Sequence, residues 1–379
     1  MDTGPLATKR RFNLCLLAAA LVFGTFYMAG PRSAFLLIVG LGFGLVLEGF
    51  RFGFAGPWRL AVKERDGRGL LAQLLAIGLT AAIAFPLLAA SPDELTGAYA
   101  PIGFAMIAGA FVFGIAMQLV MGCGSGTLVN SGSGNLVSLV ALLGFVVGSF
   151  AGSLHLGWWN SLGTLPLLTM QDLFGASGGL GITLLGLAIL AAVTLAWSEH
   201  GKRKLPPRLI AAAILLALLA ILNLVIAGQS WGVVYGLGLW GAKASQAVGM
   251  DVAATAFWSN AAHAERLQQS VLTDVTSLTN IGLIAGAFLV MRWRHHVDPQ
   301  VANLQPVSWL VVIVAGLVLG YSSRIAFGCN VGAFFSGVST GSLHGWAWFV
   351  AAFAGSSLGI RLRPGLLQQA RPAVEVGIP

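Results

Sequence analysis

Long apolar runs, separated by short polar or basic segments, extend along almost the whole chain. A helix needs roughly 17 to 25 mostly apolar residues to cross the hydrocarbon core of a bilayer. Runs of this kind lie at 12–30, 33–50, 69–90, 101–121, 135–155, 178–198, 208–227, 272–291, 307–323 and 344–360. The pattern predicts an all-α, polytopic integral membrane protein with nine or ten transmembrane helices.

The composition agrees with this prediction. Charged residues make up 9% of the 379 residues, whereas soluble domains carry roughly 25%. The first run follows Lys9, Arg10 and Arg11, as the apolar core of a secretory signal would. It is longer than such a core, and a second run follows at once, so we expect a retained helix.

The basic residues predict an orientation. Seventeen of the 21 Lys and Arg residues precede the first run or fall in alternate loops after it. They lie at 9–11, 51–68, 202–208, 292–294 and 361–371. By the positive-inside rule these segments face the cytoplasm, and so do both termini. The net charge of +8 is then a signal of topology, and it does not indicate nucleic-acid binding.

Two cysteines lie in stretches with the same glycine spacing. In GIAMQLVMGCGSG, Gly114 precedes Cys123 by nine residues and Gly126 follows it by three. In GYSSRIAFGCNVG, glycines stand at the same two distances from Cys329. The predicted helices before the two cysteines run in opposite directions. We therefore expect inverted repeats with short re-entrant helices, whose cysteine loops approach the membrane centre from opposite sides.

Two further stretches extend the repeat. GLVLEGFRFGFAG has the same spacing, with Gly53 at the position of the cysteine, and a weaker copy lies at 228–246. We predict one membrane domain over the whole chain. Its halves cover about 12–200 and 206–362, and the basic loop 199–208 joins them.

The glycine-rich loops predict an anion pathway. Non-helical backbone is tolerated in a bilayer only where protein buries it or where it lines a cavity. Free N–H groups of turns and helix N-termini bind anions. The candidate pathway residues are Cys123, Cys329, Gly122, Gly124, Gly126, Gly328, Gly332, Gly53, Ser125 and Arg324. The alternative role of these glycines is close packing between helices.

Side chains near the loops add possible donors. Thiols in apolar surroundings stay protonated, so Cys123 and Cys329 are expected to act as neutral S–H donors to a soft atom such as sulfur or selenium. The alternative is that each thiol is only a small buried hydrophobe. Hydroxyls that would add neutral donors are those of Ser125, Thr127, Ser131, Ser336 and Ser339. Arg324, five residues before Cys329, would steer anions or extend to the lipid headgroups.

Other chemistry finds little support in the residues. No Cys or His lies at zinc-ligand spacing from Cys15, Cys123 or Cys329, and no ATP-binding P-loop occurs, so neither metal nor cofactor is expected. A predicted external loop offers candidates for proton coupling: Asp251, His263, Glu265 and Asp274. A set of tryptophans is interpreted as an interfacial belt: Trp158, Trp159, Trp231, Trp240 and Trp258.

The segments MGCGSGTLVNSGSGN and RIAFGCNVGAFFSGVSTGSLHGWAWFVAAFAGSSLG resemble the YeeE/YedE sulfur-transport family. EGFRFGFAGPWR and WGVVYGLGLWGAK extend the resemblance over most of the chain. The resemblance implies a bacterial inner-membrane bundle with internal inverted symmetry and no enzymatic activity. It implies import of a small sulfur-containing anion along a row of thiols, with thiosulfate as the main candidate. It also implies delivery to a TusA-like sulfur carrier on the cytoplasmic side.

The resemblance is incomplete at one position. Cys123 and Cys329 fit two of the family's pathway cysteines, but the third would fall where this chain has Gly53. Either two thiols suffice, or the solute differs from thiosulfate. A transporter of selenium compounds or of another sulfur oxyanion therefore stays open, as does a membrane enzyme that transfers sulfur through a cysteine persulfide. The enzyme is less favoured because no His adjoins either cysteine.

Overall fold

A computed structural model describes residues 5–294 and 304–367, and within these ranges the chain forms helices and no extended strand. The α-helices are α1 (Pro5–Gly49), α2 (Ala55–Glu64), α3 (Arg68–Ala90), α4 (Phe104–Leu119), α5 (Gly124–Gly132), α6 (Leu136–Ser161), α7 (Met170–Trp197), α8 (Pro207–Ala227), α9 (Val234–Ala247), α10 (Ala261–Gln268), α11 (Val275–Trp293), α12 (Pro306–Ile325), α13 (Ser336–Ser339) and α14 (Leu343–Leu366). Short 3-10 turns lie at His200–Lys202 and Val271–Thr273, and a π-helical turn at Asn330–Phe335. The predicted all-α class is confirmed.

Eight helical stretches of the described chain are long and apolar enough to cross a membrane. The chain is therefore a multi-pass membrane protein. The first stretch, Thr8–Gly49, has 42 residues and contains two of the predicted runs. As one straight helix it would measure about 63 Å, roughly twice the thickness of the hydrocarbon core. The last predicted run, 344–360, forms α14, which packs along α4.

A break at Gly30 resolves the length of α1. Its φ of 83° and ψ of 176° interrupt the helical backbone. The guanidinium of Arg11 lies 5.1 Å from the ring centre of Trp293, at the C-terminal end of α11. At that same end, Arg294 donates a 2.5 Å hydrogen bond to the carbonyl of Gly49. Both ends of α1 thus meet one end of α11, so its two segments run antiparallel and form separate crossings.

The basic segments gather at this end of the bundle. Lys202 donates a hydrogen bond of 2.8 Å to the carbonyl of Glu64, which joins the basic loop to the end of α2. Arg363 contacts the sulfur of Met121 beside the end of α4. Arg371 lies outside the described residues. The described members of the basic clusters therefore share one face of the protein, as the charge pattern predicts.

The two cysteine-containing stretches pack in matching ways. α4 lies against α14, and α12 lies against α6. Gly355 touches the backbone carbonyl of Phe111, and Gly148 touches that of Leu317 in the same manner. Such close approach is possible only without a Cβ. The helix before each cysteine therefore packs against the helix that follows the other cysteine, through equivalent glycine contacts.

The direction of these helices fits an inverted arrangement. A β-bridge between Gly103 and Thr164 places the start of α4 beside the end of α6, so the two run antiparallel. Contacts of Gly148 with Leu317 and of Gly152 with Tyr321 show that α6 runs parallel to α12. α4 and α12 are therefore antiparallel. The boundaries of the predicted halves, at about 12–200 and 206–362, stay a prediction.

A left-handed residue marks three of the breaks. Arg51, Met121 and Phe327 have φ of 54°, 58° and 58°, and each stands two residues before Gly53, Cys123 or Cys329. This conformation is uncommon outside glycine and costs about 1–3 kcal/mol. Its recurrence supports the alignment of Gly53 with the two cysteines.

Candidate anion pathway

Cys123 and Cys329 lie at two breaks in the helices, and both are fully buried. Cys123 is the N-cap of α5, and Cys329 directly precedes the π-helical turn. A Cβ on Gly124 would stand 3.0 Å from the sulfur of Cys329. The two loops therefore meet at Gly124, and the structure brings both predicted thiols to the same buried region.

Donor groups surround the two sulfur atoms. Cys123 Sγ accepts a 3.4 Å hydrogen bond from the N–H of Gly126 and lies 3.3 Å from Ser125 Oγ. The N–H groups of Gly332, Val331 and Ser125 interact with Cys329 Sγ. Each thiol thus sits at the positive end of a short helical segment, where partial positive charge favours an anion.

Most of the predicted hydroxyl donors are already engaged. Thr127, Ser131, Ser336 and Ser339 each donate to a backbone carbonyl, at 2.6 to 3.3 Å. Only the Ser125 hydroxyl of this set pairs with a thiol. The hydroxyls of Thr127, Ser131 and Ser339 stabilise the local backbone, which is the ordinary use of Ser and Thr in such turns, whereas Ser336 bonds to the distant carbonyl of Trp231.

A cavity of about 440 Å³ extends from Cys123 to the basic face of the protein. Its lining includes several of the predicted pathway residues and three arginines: Gly53, Gly122, Cys123, Ser125, Gly126, Arg51, Arg68 and Arg208. A neighbouring cavity of about 550 Å³ adds Arg59. We call the two together the basic cavity.

The charges of the basic cavity do not balance. Glu48 lies 3.5 Å from Arg51, and Asp66 lies 2.6 Å from Arg68, so each carboxylate already has a cation beside it. The Arg68 guanidinium also holds the pKa of Asp66 below its ordinary value. Arg59 and Arg208 add positive charge, so the cavity favours an anion.

Gly53 faces the same cavity as Cys123. A Cβ at this position would meet no atom of the described residues within 4 Å. Its φ is also outside the left-handed region. Neither space nor backbone conformation therefore requires glycine here, and a larger side chain would point into the basic cavity.

Gly122 and Gly328, which precede the two cysteines, have a packing role. A Cβ at Gly122 would lie 2.9 Å from the N atom of Thr127, and one at Gly328 would lie 2.7 Å from that of Ala333. Both glycines let the loop fold closely over the following helical turn. Gly332 has open space around its Cα, so close packing explains some of the loop glycines and not others.

Arg324 is a buried cation without a carboxylate partner in the described parts of the chain. Its guanidinium donates to Ser149 Oγ at 3.4 Å and to the carbonyl of Val234 at 3.3 Å. It lies over the rings of Tyr235 and Phe257, at 5.7 and 5.2 Å. Protein encloses the charge, which does not extend to lipid headgroups. A buried, uncompensated cation attracts an anion strongly.

Sequence reasoning missed some features of this region. Trp231 and Trp258 are 1% and 0% exposed, so the interfacial-belt interpretation is wrong for these two. Trp231 instead stacks on Phe43, with ring centres 3.9 Å apart. Asn330 is fully buried beside Cys329. The sequence does mark this residue, because a large polar side chain stands at the position that Gly124 occupies in the other repeat.

Comparisons with known proteins identify the family of the chain. The Sulphur transport family matches residues 50–358, a range that contains Gly53 and both buried cysteines. The thiosulfate transporter TsuA of Spirochaeta thermophila is 28% identical over 337 residues, covering 82% of this chain and 92% of that protein. TsuA of Escherichia coli (strain K12) is 25% identical over 349 residues, covering 84% of this chain and 91% of that protein.

A shorter match involves the probable transporter YedE of Escherichia coli (strain K12). It is 28% identical over 152 residues, covering 40% of this chain and 37% of that protein, so the chain spans little more than a third of this relative. The family match covers most of the chain and both repeats around the thiols. The protein therefore belongs to the Sulphur transport family and is a membrane transporter of sulfur anions rather than an enzyme.

Proposed function

We propose that the protein imports thiosulfate, or a closely similar sulfur-containing anion, across the inner membrane of a bacterium. The observation that carries this proposal is that the loops of Cys123 and Cys329 meet at Gly124, and that Cys123 lines a basic cavity. Two TsuA relatives, each covered over most of its length, are thiosulfate transporters by name.

The anion first approaches the buried charge of Arg324. A dianion loses much of its hydration in a narrow passage, and this cost must be offset by charge and hydrogen-bond donors. The Arg324 guanidinium supplies charge, and N–H groups at the two helical segments supply donors. No covalent bond to the protein is needed.

The thiols then act on the sulfur end of the anion. A neutral S–H group is a weak, polarisable donor, suited to a soft acceptor such as the terminal sulfur of thiosulfate. The anion moves from Cys329 to Cys123 by exchanging S–H···S contacts. It reaches the basic cavity through Gly122 and Gly126.

The basic cavity opens to the cytoplasm in this proposal. The positive-inside rule supports that orientation, with both termini on the same side. A TusA-like sulfur carrier would receive the anion there, because arginines around the cavity suit an acidic partner surface. Selenium compounds or another sulfur oxyanion are a second candidate cargo, since Gly53 leaves the cavity without a third thiol.

Uptake into liposomes tests this function. The purified protein is reconstituted, and radiolabelled thiosulfate is added outside. We expect accumulation above that of empty liposomes, full competition by unlabelled thiosulfate, and weak competition by sulfate, which lacks a terminal sulfur. Selenium compounds are added as further competitors. The absence of uptake, or equal competition by sulfate, would overturn the proposal.

A further inference from the structure

Asn330 carries a buried amide that the fold does not satisfy. The residue is 0% exposed, and neither Nδ2 nor Oδ1 has a hydrogen-bond partner among the described residues. Buried side-chain amides are nearly always paired, because an unpaired one lowers the stability of the fold. An amide kept in this state needs another reason.

The internal repeat indicates where this amide lies. Asn330 follows Cys329 as Gly124 follows Cys123. Gly124 lies directly against the Cys329 thiol, since a Cβ there would stand 3.0 Å from the sulfur. By the same internal relation we expect residue 330 on the side of Cys123. The amide would then stand between the two thiols, at the constriction.

The chemistry of the proposed cargo supplies the missing partner. Thiosulfate has one soft sulfur end and three oxygens that accept hydrogen bonds. Thiols suit the sulfur end, but oxygens require stronger N–H or O–H donors. The amide of Asn330 would offer two N–H donors at the place where the thiols hold the sulfur end of the anion.

We propose that Asn330 is a substrate-binding residue that holds the oxygen end of the anion while Cys123 and Cys329 contact its sulfur end. This inference rests on the proposed function. It explains why this buried amide has no partner among the described residues: its partner is the passing anion. The Asn330 side chain then distinguishes sulfur anions that carry terminal oxygens from those that do not.

The test compares Asn330→Leu with the wild-type protein in liposomes. Leucine is close to asparagine in size and removes both hydrogen-bonding atoms. We expect thiosulfate uptake to fall about tenfold, as the loss of a hydrogen bond to a charged group implies. We also expect no fall in melting temperature, because no side-chain hydrogen bond to another described residue is lost. Asn330→Asp, which adds a negative charge, should abolish uptake.

Asn280→Leu is the matched control. Asn280 is also fully buried, but its Nδ2 donates a 2.9 Å hydrogen bond to the carbonyl of Val233. This variant should melt at a lower temperature than the wild type. Should Asn330→Leu not fold, Asn330→Ser and Asn330→Ala are compared, and the serine variant should transport faster because it keeps a donor.

The outcomes separate the two proposals. If the wild-type protein takes up no thiosulfate, the proposed function fails, whatever the variants do. If the wild type transports and folded Asn330→Leu transports with the same KM and maximal rate, Asn330 does not touch the anion and this inference is overturned. Equal uptake by the serine and alanine variants would overturn it as well.

Discussion

Arg324 and Gln118 occupy the same position in the two repeats, each five residues before its buried cysteine. Arg324 donates to Ser149 Oγ at 3.4 Å, and Gln118 donates to Ser356 Oγ at 2.8 Å. Equivalent contacts therefore hold a cation in one half and a neutral amide in the other. The proposed pathway is electrostatically asymmetric at this position although the packing around it is matched.

Replacing Arg324 by glutamine should remove that asymmetry. We expect Arg324→Gln to raise the KM for thiosulfate by about tenfold or more, because a buried charge that attracts the anion is lost. The concentration dependence of uptake measures this. Lys243→Gln is the control: its ammonium is bonded to the carbonyls of Leu267 and Gln269, so the KM should stay near that of the wild type. An unchanged KM in Arg324→Gln would exclude the assigned role.

Gly124 should be sensitive to a single methyl group. A Cβ there would stand 3.0 Å from Cys329 Sγ, so Gly124→Ala must displace the thiol. We expect uptake to fall about tenfold, since one S–H contact to the anion is misplaced. Gly181→Ala, on the exposed surface of α7 and away from the two thiols, places its methyl in open space and serves as the control. If both alanine variants transport equally well at equal expression, the thiols do not meet as described.

Gly53 should accept a third thiol. Gly53→Cys places its side chain in the basic cavity, where no described atom lies within 4 Å of the Cβ. The melting temperature should therefore change little, and thiosulfate uptake should be kept. A membrane-impermeant thiol reagent should label the variant from the cytoplasmic side only. Labelling from the outside would contradict the proposed orientation.

The segment around α10 should respond to acid. Burial lowers the pKa of His263, and the nearby Arg324 and Arg266 lower it further. Its Nδ1 lies 3.2 Å from the hydroxyl of Tyr235, and its ring stacks on Phe257 at 4.2 Å. The folded state thus favours neutral imidazole, so stability is complete above the ordinary pKa of 6.5 and declines as the pH falls below it.

Thermal melting in detergent at several pH values tests this assignment. The wild-type melting temperature should fall on acidification below pH 6.5. His263→Gln, which cannot be protonated, should show a smaller decline over the same range. Identical pH profiles would mean that His263 is not the titrating group.

The sequence was sufficient where a simple physical rule applies. Hydrocarbon thickness fixes the length of an apolar run, so 12–30 and 33–50 were predicted as two crossings, and the break at Gly30 agrees. The glycine spacing predicted the breaks at Gly53, Cys123 and Cys329. The glycine nine residues before each of them lies where two helices pack too closely for a Cβ.

Other features depend on contacts distant in sequence or carry no compositional signal. The aromatic surroundings of Arg324 come from α9 and from the segment before α10. The left-handed residues Met121 and Phe327 are not glycines, so nothing in their identity predicts the turn. The hydrogen bond from the Ser336 hydroxyl to the carbonyl of Trp231 likewise forms only in the folded chain.

If the anion passes between the two thiols, its uptake must depend on both Cys123 and Cys329. Cys123→Ala, Cys329→Ala and, as a control, Cys15→Ala are reconstituted at equal protein amounts. Cys15 is exposed and lies outside the repeats, so its variant should match the wild type. Each of the other two variants should take up radiolabelled thiosulfate at least about tenfold more slowly. Wild-type uptake in both Cys123→Ala and Cys329→Ala would show that the anion does not pass by way of the two thiols.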